Sequence, residues 1–276
     1  MVNENTTNYR AKPILKWAGG KTSLIPQLVK HFPSKFDRYI EPFLGGGAVF
    51  LGLPQQTLSL VNDVNSEITN FYEVVRDQPE KLMKALDEMG CQYSEKFYYQ
   101  IRLLKPRSAL QKAARTLFLN KTCYNGLYRL NSKGQFNVPF GKRERLPRLY
   151  DSQNLLGVSR KLKKAVIWNS DFEKVIEEAG KGDFVYCDPP YEPLSSTSSF
   201  NAYTGKGFTK DDQVRLFQAC CRAATRGAKI AVSNSASPFV KKLFHDWELV
   251  SISCRRSINS KGDRRGLIQE VLAKSY

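Results

Sequence analysis

The chain has 276 residues, 41% of them hydrophobic, and sets 43 Lys plus Arg against 26 Asp plus Glu for a formal charge of +17. That length and apolar content support a buried core, in one large domain or in one domain carrying a smaller insertion, and exclude a short scaffold peptide. So large a positive field suits a polyanionic partner, with nucleic acid, an acidic membrane surface and a merely soluble surface all left open by charge alone.

From Met1 to Lys12 the chain is polar. No stretch approaches the ~18 uninterrupted apolar residues of a membrane span, so a cytoplasmic protein without a membrane partner is expected. The six cysteines, at 91, 123, 187, 220, 221 and 254, form no pair spaced by two residues, and only His31 and His245 could complete a mixed site. Free thiols and no metal are therefore expected.

The first motif in chain order is Gly19-Gly20-Lys21-Thr22, which imitates the end of a phosphate-binding loop but has Leu15 where the first glycine belongs. Lys21 and Trp17 are then either a site feature or a lysine reaching solvent beside a core tryptophan. An apolar strand Tyr39-Ile40-Glu41-Pro42-Phe43 leads into Leu44-Gly45-Gly46-Gly47, with a helix starting at Ala48 and a second strand at Leu58-Ser59-Leu60-Val61. Glycines between strand and helix let backbone approach a ligand. Phe50 stands where a dinucleotide fingerprint needs its third glycine, so a nucleoside without a pyrophosphate fits better. Asp63, ending the second strand, is placed to accept hydrogen bonds from a ribose diol.

Asn65 to about Lys121 reads as helical. Tyr124 to Phe140 then changes texture, with two aromatic-containing runs around Asn131-Ser132-Lys133-Gly134 that predict a β-hairpin. Further apolar runs follow at Ala165–Trp168, Phe184–Cys187, Lys229–Val232 and Leu267–Leu272, with a helical pattern from Asp211 to Thr225. Strand alternating with helix predicts a doubly wound, mostly parallel α/β sheet.

Asp188-Pro189-Pro190-Tyr191 follows the Phe184–Cys187 run, at the strand end where open α/β sheets bind ligands. An exocyclic amine on a purine is a poor nucleophile because its lone pair is delocalised into the ring. Acceptors on its two N–H groups favour the pyramidal, reactive geometry. Asp188 supplies one, and a main-chain carbonyl of the stiff Pro189-Pro190 pair can supply the other. Tyr191 offers a flat face for a base taken out of the stack. The alternative is an ordinary strand-ending turn. Ser195 to Ser199 with Gly205-Lys206-Gly207 is either a cover over that site or a plain surface loop.

Taken jointly, Leu15 to Lys21, Glu41 to Gly47, Asp63, Tyr124 to Gly141, Asp188 to Tyr191 and Arg255-Arg256-Ser257-Ile258 resemble the Dam-type family of adenine-N6 DNA methyltransferases over nearly the whole chain. The resemblance implies S-adenosylmethionine as cofactor, no metal, and double-stranded DNA containing GATC as substrate. It implies that Trp17 and Lys21 contact the cofactor, with Glu41, Phe43, Gly45 and Gly47 beneath it. Asp63 would bind the ribose, Asp171 and Phe172 would lie near the cofactor's adenine, and Asp188 would sit between cofactor and target base. Tyr124 or Asn125 would fill the space left by the flipped base, Arg129 would read a guanine, Leu127 and Pro139 would pack on a thymine methyl, and Lys16 would reach the outer guanine.

The expected organisation is a methyltransferase catalytic domain of residues 1–63 and 151–276, with a target-recognition domain inserted at 64–150, working as a monomer. The rival chemistries are methylation of cytosine N4, of an RNA base or of a protein amide. A rival of another class is a DNA-binding protein that has lost catalysis.

Overall fold

The computed structural model describes residues 11–17, 19–54, 57–131, 133–193, 207–255 and 267–276, and only the backbone at 254, 255, 267 and 268. The suggested cover at Ser195–Ser199 with Gly205 and Lys206, the segment Arg256-Ser257-Ile258 and the turn residue Ser132 lie outside the described residues. Seven strands are present: β1 Arg38–Glu41, β2 Leu58–Asn62, β3 Ala165–Trp168, β4 Asp183–Cys187, β5 Lys229–Ser235, β6 Glu248–Arg255 and β7 Leu267–Lys274. They form one sheet in the order β3-β2-β1-β4-β5-β7-β6. β1 runs parallel to β2 and to β4, and β4 to β5, while β7 is antiparallel to β5 and β6. The doubly wound, mostly parallel sheet expected from the sequence is the observed one. β6 adds a strand that the apolar runs did not announce.

The helices in chain order are α1 Ile25–Leu28, α2 Ala48–Gly52, α3 Ser66–Asp77, α4 Pro79–Cys91, α5 Glu95–Leu103, α6 Ala109–Thr122, α7 Ser152–Leu162, α8 Phe172–Glu177, α9 Lys210–Thr225 and α10 Pro238–Leu243. The chain divides into two compact units: Met1–Gly20 with Gly45–Gln56 and Asn65–Ile167, and Lys21–Leu44 with Thr57–Val64 and Trp168–Tyr276.

The first unit is helical because the residues 65–122 repeat apolar positions at helical spacing between well-formed caps. Asn65, Ser94 and Ser108 each accept a hydrogen bond from a backbone N–H of the helix they precede, which satisfies groups the helix leaves orphaned. Phe71, Val75, Leu82, Tyr98, Leu117 and Phe118 are fully buried among these helices. Lys161 is buried too, its ammonium donating to the carbonyls of Leu53 and Pro54, and burial brings its pKa down to about 8.

The second unit shows the period of two that a sheet covered on both faces requires. Ile40, Val185, Cys187, Ile230 and Val232 pack with Val175, Ile176, Leu216, Ala219, Val240 and Phe244 from α8, α9 and α10. Their strand neighbours face the other way. There Tyr39, Phe184 and Tyr186 meet Phe32 and Phe36, with ring centroids 4.8–6.4 Å apart.

The predicted hairpin at Tyr124–Phe140 is reduced to two isolated antiparallel bridges, Cys123 to Phe140 and Leu130 to Phe136. Tyr124–Gly126 is a single 3-10 turn, with Asn125 and Gly126 both at positive φ (54° and 67°), which interrupts the extended run. Pro139, without an N–H, can only accept, and its carbonyl takes the Tyr124 N–H at 2.9 Å.

Candidate active site

The winding of the sheet locates the site. From β1 the chain steps outward to β2 and β3 and then returns to β4 and β5 on the other side. The carboxyl ends of β1 and β4 therefore flank the point where the strand order reverses, which is where open α/β sheets bind ligands. β1 ends at Glu41 and β4 at Cys187, so Pro42-Phe43 and Asp188 to Tyr191 leave the sheet on that edge.

In the second unit, Asp188 is held by Lys21, whose ammonium nitrogen lies 2.9 Å from Oδ1. Lys21 is only 4% exposed, so it is a buried partner and not a lysine reaching solvent. Its nitrogen also sits 4.7 Å from the centre of the Tyr191 ring, a cation–π contact. Burial pushes the Asp188 carboxyl above its ordinary value, and the Lys21 ammonium opposes that rise. Tyr191 donates its hydroxyl to Glu270 on β7 at 2.8 Å, and burial, then Asp188 and Glu270, drive its phenol well above the usual range. On either side of Tyr191 the backbone is gripped as well: Gln213 donates to the Pro190 carbonyl at 2.9 Å, and the Glu192 N–H donates to Asn234 at 3.2 Å.

The neighbouring strand ends are equally well tied. Glu41 is buried and accepts from the Tyr39 hydroxyl at 2.8 Å. Phe43 packs at 5.3 Å on Phe172 and edge-on at 5.9 Å on Phe208. Asn62 donates to the carbonyls of Pro42 and Ser170, at 2.9 and 3.0 Å, and its oxygen accepts from the Ser170 N–H at 2.8 Å. Asp63 follows, half-buried, with its backbone bonded to Trp168 and to the Asn169 side chain. Asp171 is tied to α9. Its carboxylate accepts two hydrogen bonds from Arg215, at 3.1 and 3.0 Å, and one from the Glu173 N–H that opens α8, while Arg215 lies 4.3 Å over the Phe172 ring.

In the first unit the glycine run meets Trp17. Gly45 is at φ 49°, and a Cβ there would stand 2.8 Å from Cδ1 of the indole; Gly47, at φ 67°, caps α2. The indole also meets Tyr128, ring centroids 4.7 Å apart, and Tyr128 in turn donates to Glu67 at 3.2 Å. Lys16 exchanges two 2.8 Å backbone hydrogen bonds with the Asn120 side chain, and its aliphatic stem fills the space beside Gly126. That contact puts Lys16 next to the turn carrying Tyr124 and Asn125, both exposed. Leu127 is half-buried, Pro139 exposed, and Arg129 is exposed and donates from Nε to Asn137 at 2.7 Å.

Several of these residues escaped the sequence reading: Tyr128, Asn62, Gln213, Asn234 and Glu270. Ser233-Asn234-Ser235 and Glu270 carried a usable signal, since each puts polar side chains into the end or middle of an apolar strand. Gln213 and Tyr128 carried none.

Residues 17–258 match the family described as D12 class N6 adenine-specific DNA methyltransferase. The chain belongs to this family. It is 38% identical to the type II methyltransferase M1.LlaDCHI of Lactococcus lactis subsp. cremoris, over 100% of this chain and 99% of the relative. It is 40% identical to the type II methyltransferase M.MjaIII of Methanocaldococcus jannaschii, over 96% and 99% of the two chains. To the DNA adenine methylase of Escherichia coli K12 it is 32% identical, over 95% and 94%. Among the described residues no group of three or more His, Cys, Asp or Glu could hold a metal ion, and no helix is long and apolar enough to cross a membrane.

Proposed function

We propose that this methyltransferase takes its methyl group from S-adenosylmethionine and places it on N6 of adenine in double-stranded DNA, within GATC. The observation that carries the proposal is the partly buried Asp188 carboxylate, ion-paired to the buried Lys21 beside Tyr191 at the strand-order reversal. When bound, the donor supplies a methyl already activated on a sulfonium.

The residues of the edge suit such a group. Glu41, Asp63 and Asp188 bring three carboxylates to the carboxyl ends of β1, β2 and β4, favourable for a cationic nucleoside, and Phe43 with Phe172 offers an apolar face to its purine. Asp63 would accept from the ribose hydroxyls. Asp171, already engaged by Arg215, would act by fixing Phe172 at the start of α8. Trp17, Lys21, Gly45 and Gly47 are assigned to the donor on the family resemblance of their segments.

For the target base, Asp188 accepts one hydrogen of the N6 amine. The Pro190 carbonyl already receives Gln213. Among the described residues no hydrogen bond reaches the Pro189 carbonyl, so Pro189 is assigned as the second acceptor. Tyr191, anchored by Glu270, presents its ring for stacking the flipped adenine. With both hydrogens held, the nitrogen lone pair would be free to take the sulfonium methyl, the C–S bond breaking to leave S-adenosylhomocysteine and the surplus N6 proton passing to solvent, so that most of the acceleration would come from positioning. Lys16, Tyr124, Asn125, Leu127, Arg129 and Pro139 are assigned to the DNA, on exposed or half-exposed positions that suit the task. Residues 64–150 form the recognition part inserted in a catalytic part of residues 1–63 and 151–276, acting as a monomer in the cytoplasm.

The test is methyl transfer from labelled donor to duplexes with and without GATC, followed by nucleoside analysis. N6-methyladenine confined to GATC is expected, and Asp188→Ala should lower turnover at least ~10²-fold with DNA affinity kept. Methylcytosine in the product, or turnover retained by Asp188→Ala, overturns the proposal.

A further inference from the structure

We propose that the buried amide pair Gln213–Asn234 is a positioning device for the catalytic loop, a polar relay of fixed direction that grips the backbone on both sides of Tyr191. This rests on the assignment of Asp188 to Tyr191 as the catalytic segment. Both side chains are withdrawn from solvent, Gln213 at 0% and Asn234 at 1% exposure. Asn234 continues the face of β5 that Ile230 and Val232 turn toward α9, and Gln213 lies in the first turn of α9, which the Thr209–Asp212 capping box fixes in place.

The direction of the relay follows from obligatory backbone chemistry. Asn234 Oδ1 receives two backbone N–H groups, from Glu192 at 3.2 Å and from Ser235 at 2.8 Å, so an oxygen must stand there. Its Nδ2 then faces Gln213 Oε1 at 2.9 Å, which leaves Gln213 Nε2 to donate to the Pro190 carbonyl at 2.9 Å. A carbonyl can only accept. Turning either amide over would set donor against donor at one end and acceptor against acceptor at the other, so the chain has one polarity. The result holds the peptide groups immediately before and after Tyr191, while the hydroxyl of Tyr191 is held separately by Glu270. It also fills one acceptor position of the Pro190 carbonyl.

The test uses this polarity, and reads transfer rate against binding to separate positioning from fold stability. Gln213→Glu keeps shape and volume but has no donor for Pro190 when ionised. When protonated, its hydroxyl can donate to Pro190 while its other oxygen accepts from Asn234. The ionisable groups on the surrounding elements include Asp188, Tyr191 and Glu192 on the loop, Glu270 on β7, Lys21 beside Asp188, and Lys210, paired with Glu192, with Asp211, Asp212 and Arg215 on α9. They are common to variant and wild type, so the ratio of the two single-turnover methyl-transfer rates isolates the new carboxyl.

That ratio should be reduced about 10–100-fold at alkaline pH and climb as the pH falls, with affinities for duplex DNA and for S-adenosylmethionine within about twofold of wild type. Gln213→Met, which fills the space without any donor, should be slowed comparably with a ratio flat in pH, and serves in place of the glutamate variant should that one not fold. If both variants transfer methyl at the wild-type rate while Asp188→Ala is inactive, this inference falls and the assignment of Asp188 stands. If binding weakens as much as transfer slows, the pair is structural only and the inference is likewise overturned. Turnover by Asp188→Ala would instead remove the premise.

Discussion

The loop at Asp188–Tyr191 and the loop at Tyr124–Phe140 are both short, aromatic and proline-containing, yet they are held in opposite ways. Around Tyr191 the polar contacts are part-buried, well-directed bonds to segments distant in the chain: Lys21, Gln213 on α9, Asn234 on β5 and Glu270 on β7 all converge there. Around Arg129 the bonds are local and exposed, to Asn137 eight residues away and through an Asn131 side chain that closes its own turn. Preorganised groups in a dry setting cost nothing further when charge develops. Exposed groups with a modest local partner can exchange it for a base edge. The first arrangement suits the chemistry proposed for Asp188 to Tyr191, and the second suits the recognition proposed for Arg129.

The largest effect expected from breaking the contrast is at Lys21. Lys21→Met takes the ammonium from the partly buried Asp188 carboxylate, a loss of about 3 kcal/mol, the low end for a buried pair. The Asp188 carboxyl, already raised by burial, rises further once the opposing ammonium is gone. A folded-state pKa above the unfolded one gives stability that is present at low pH and lost as pH rises through it. Denaturation melts should therefore show the variant's deficit growing from acid toward alkaline pH, and the acid limb of its rate profile moving to higher pH. A deficit constant with pH would mean that Asp188 does not feel Lys21.

Next is a pair of glycines, both at positive φ. Gly45 has Trp17 Cδ1 2.8 Å from where a Cβ would be, and Gly134 has nothing within 4 Å. Gly45→Ala should cost ~1–3 kcal/mol more than Gly134→Ala in denaturant unfolding, since the backbone cost is shared and only the first meets the indole. Equal costs would show that the indole gives way. The smallest effect on the fold is expected at Arg129. Arg129→Ala should leave stability within ~0.5 kcal/mol while relaxing discrimination at one guanine by ~1–3 kcal/mol, measured as the ratio of rates on matched and substituted duplexes. Unchanged preference would make Arg129 a phosphate contact.

These contrasts also explain what could be read in advance. Asp188 to Tyr191, the glycine turn and Asp63 were legible because each lies at a strand end marked by a local change from apolar to polar or glycine residues. Gln213, Asn234 and Glu270 are joined to the loop across 23, 42 and 79 positions, a separation no local pattern reports. β6 was missed for a related reason: an antiparallel edge strand buries one face only, so Glu248-Leu249-Val250-Ser251-Ile252 lacks the continuous apolar run of the central strands. The hairpin was half legible, since Asn131 and Gly134 do form the turn, but the positive φ of Asn125 cut short the strand before it. The Asp171–Arg215 pair shows the opposite limit, a conspicuous carboxylate whose partner is 44 residues away.

Asn62 deserves a last consideration. A single carboxamide, buried at the tip of β2, is shared between the return of chain after β1 at Pro42 and the one after β3 at Ser170. Phe43 and Phe172, whose rings also touch at 5.3 Å, therefore leave the sheet from bends that share one polar clasp. Asn62→Leu would open that clasp and leave the ring contact as the remaining tie between the two bends.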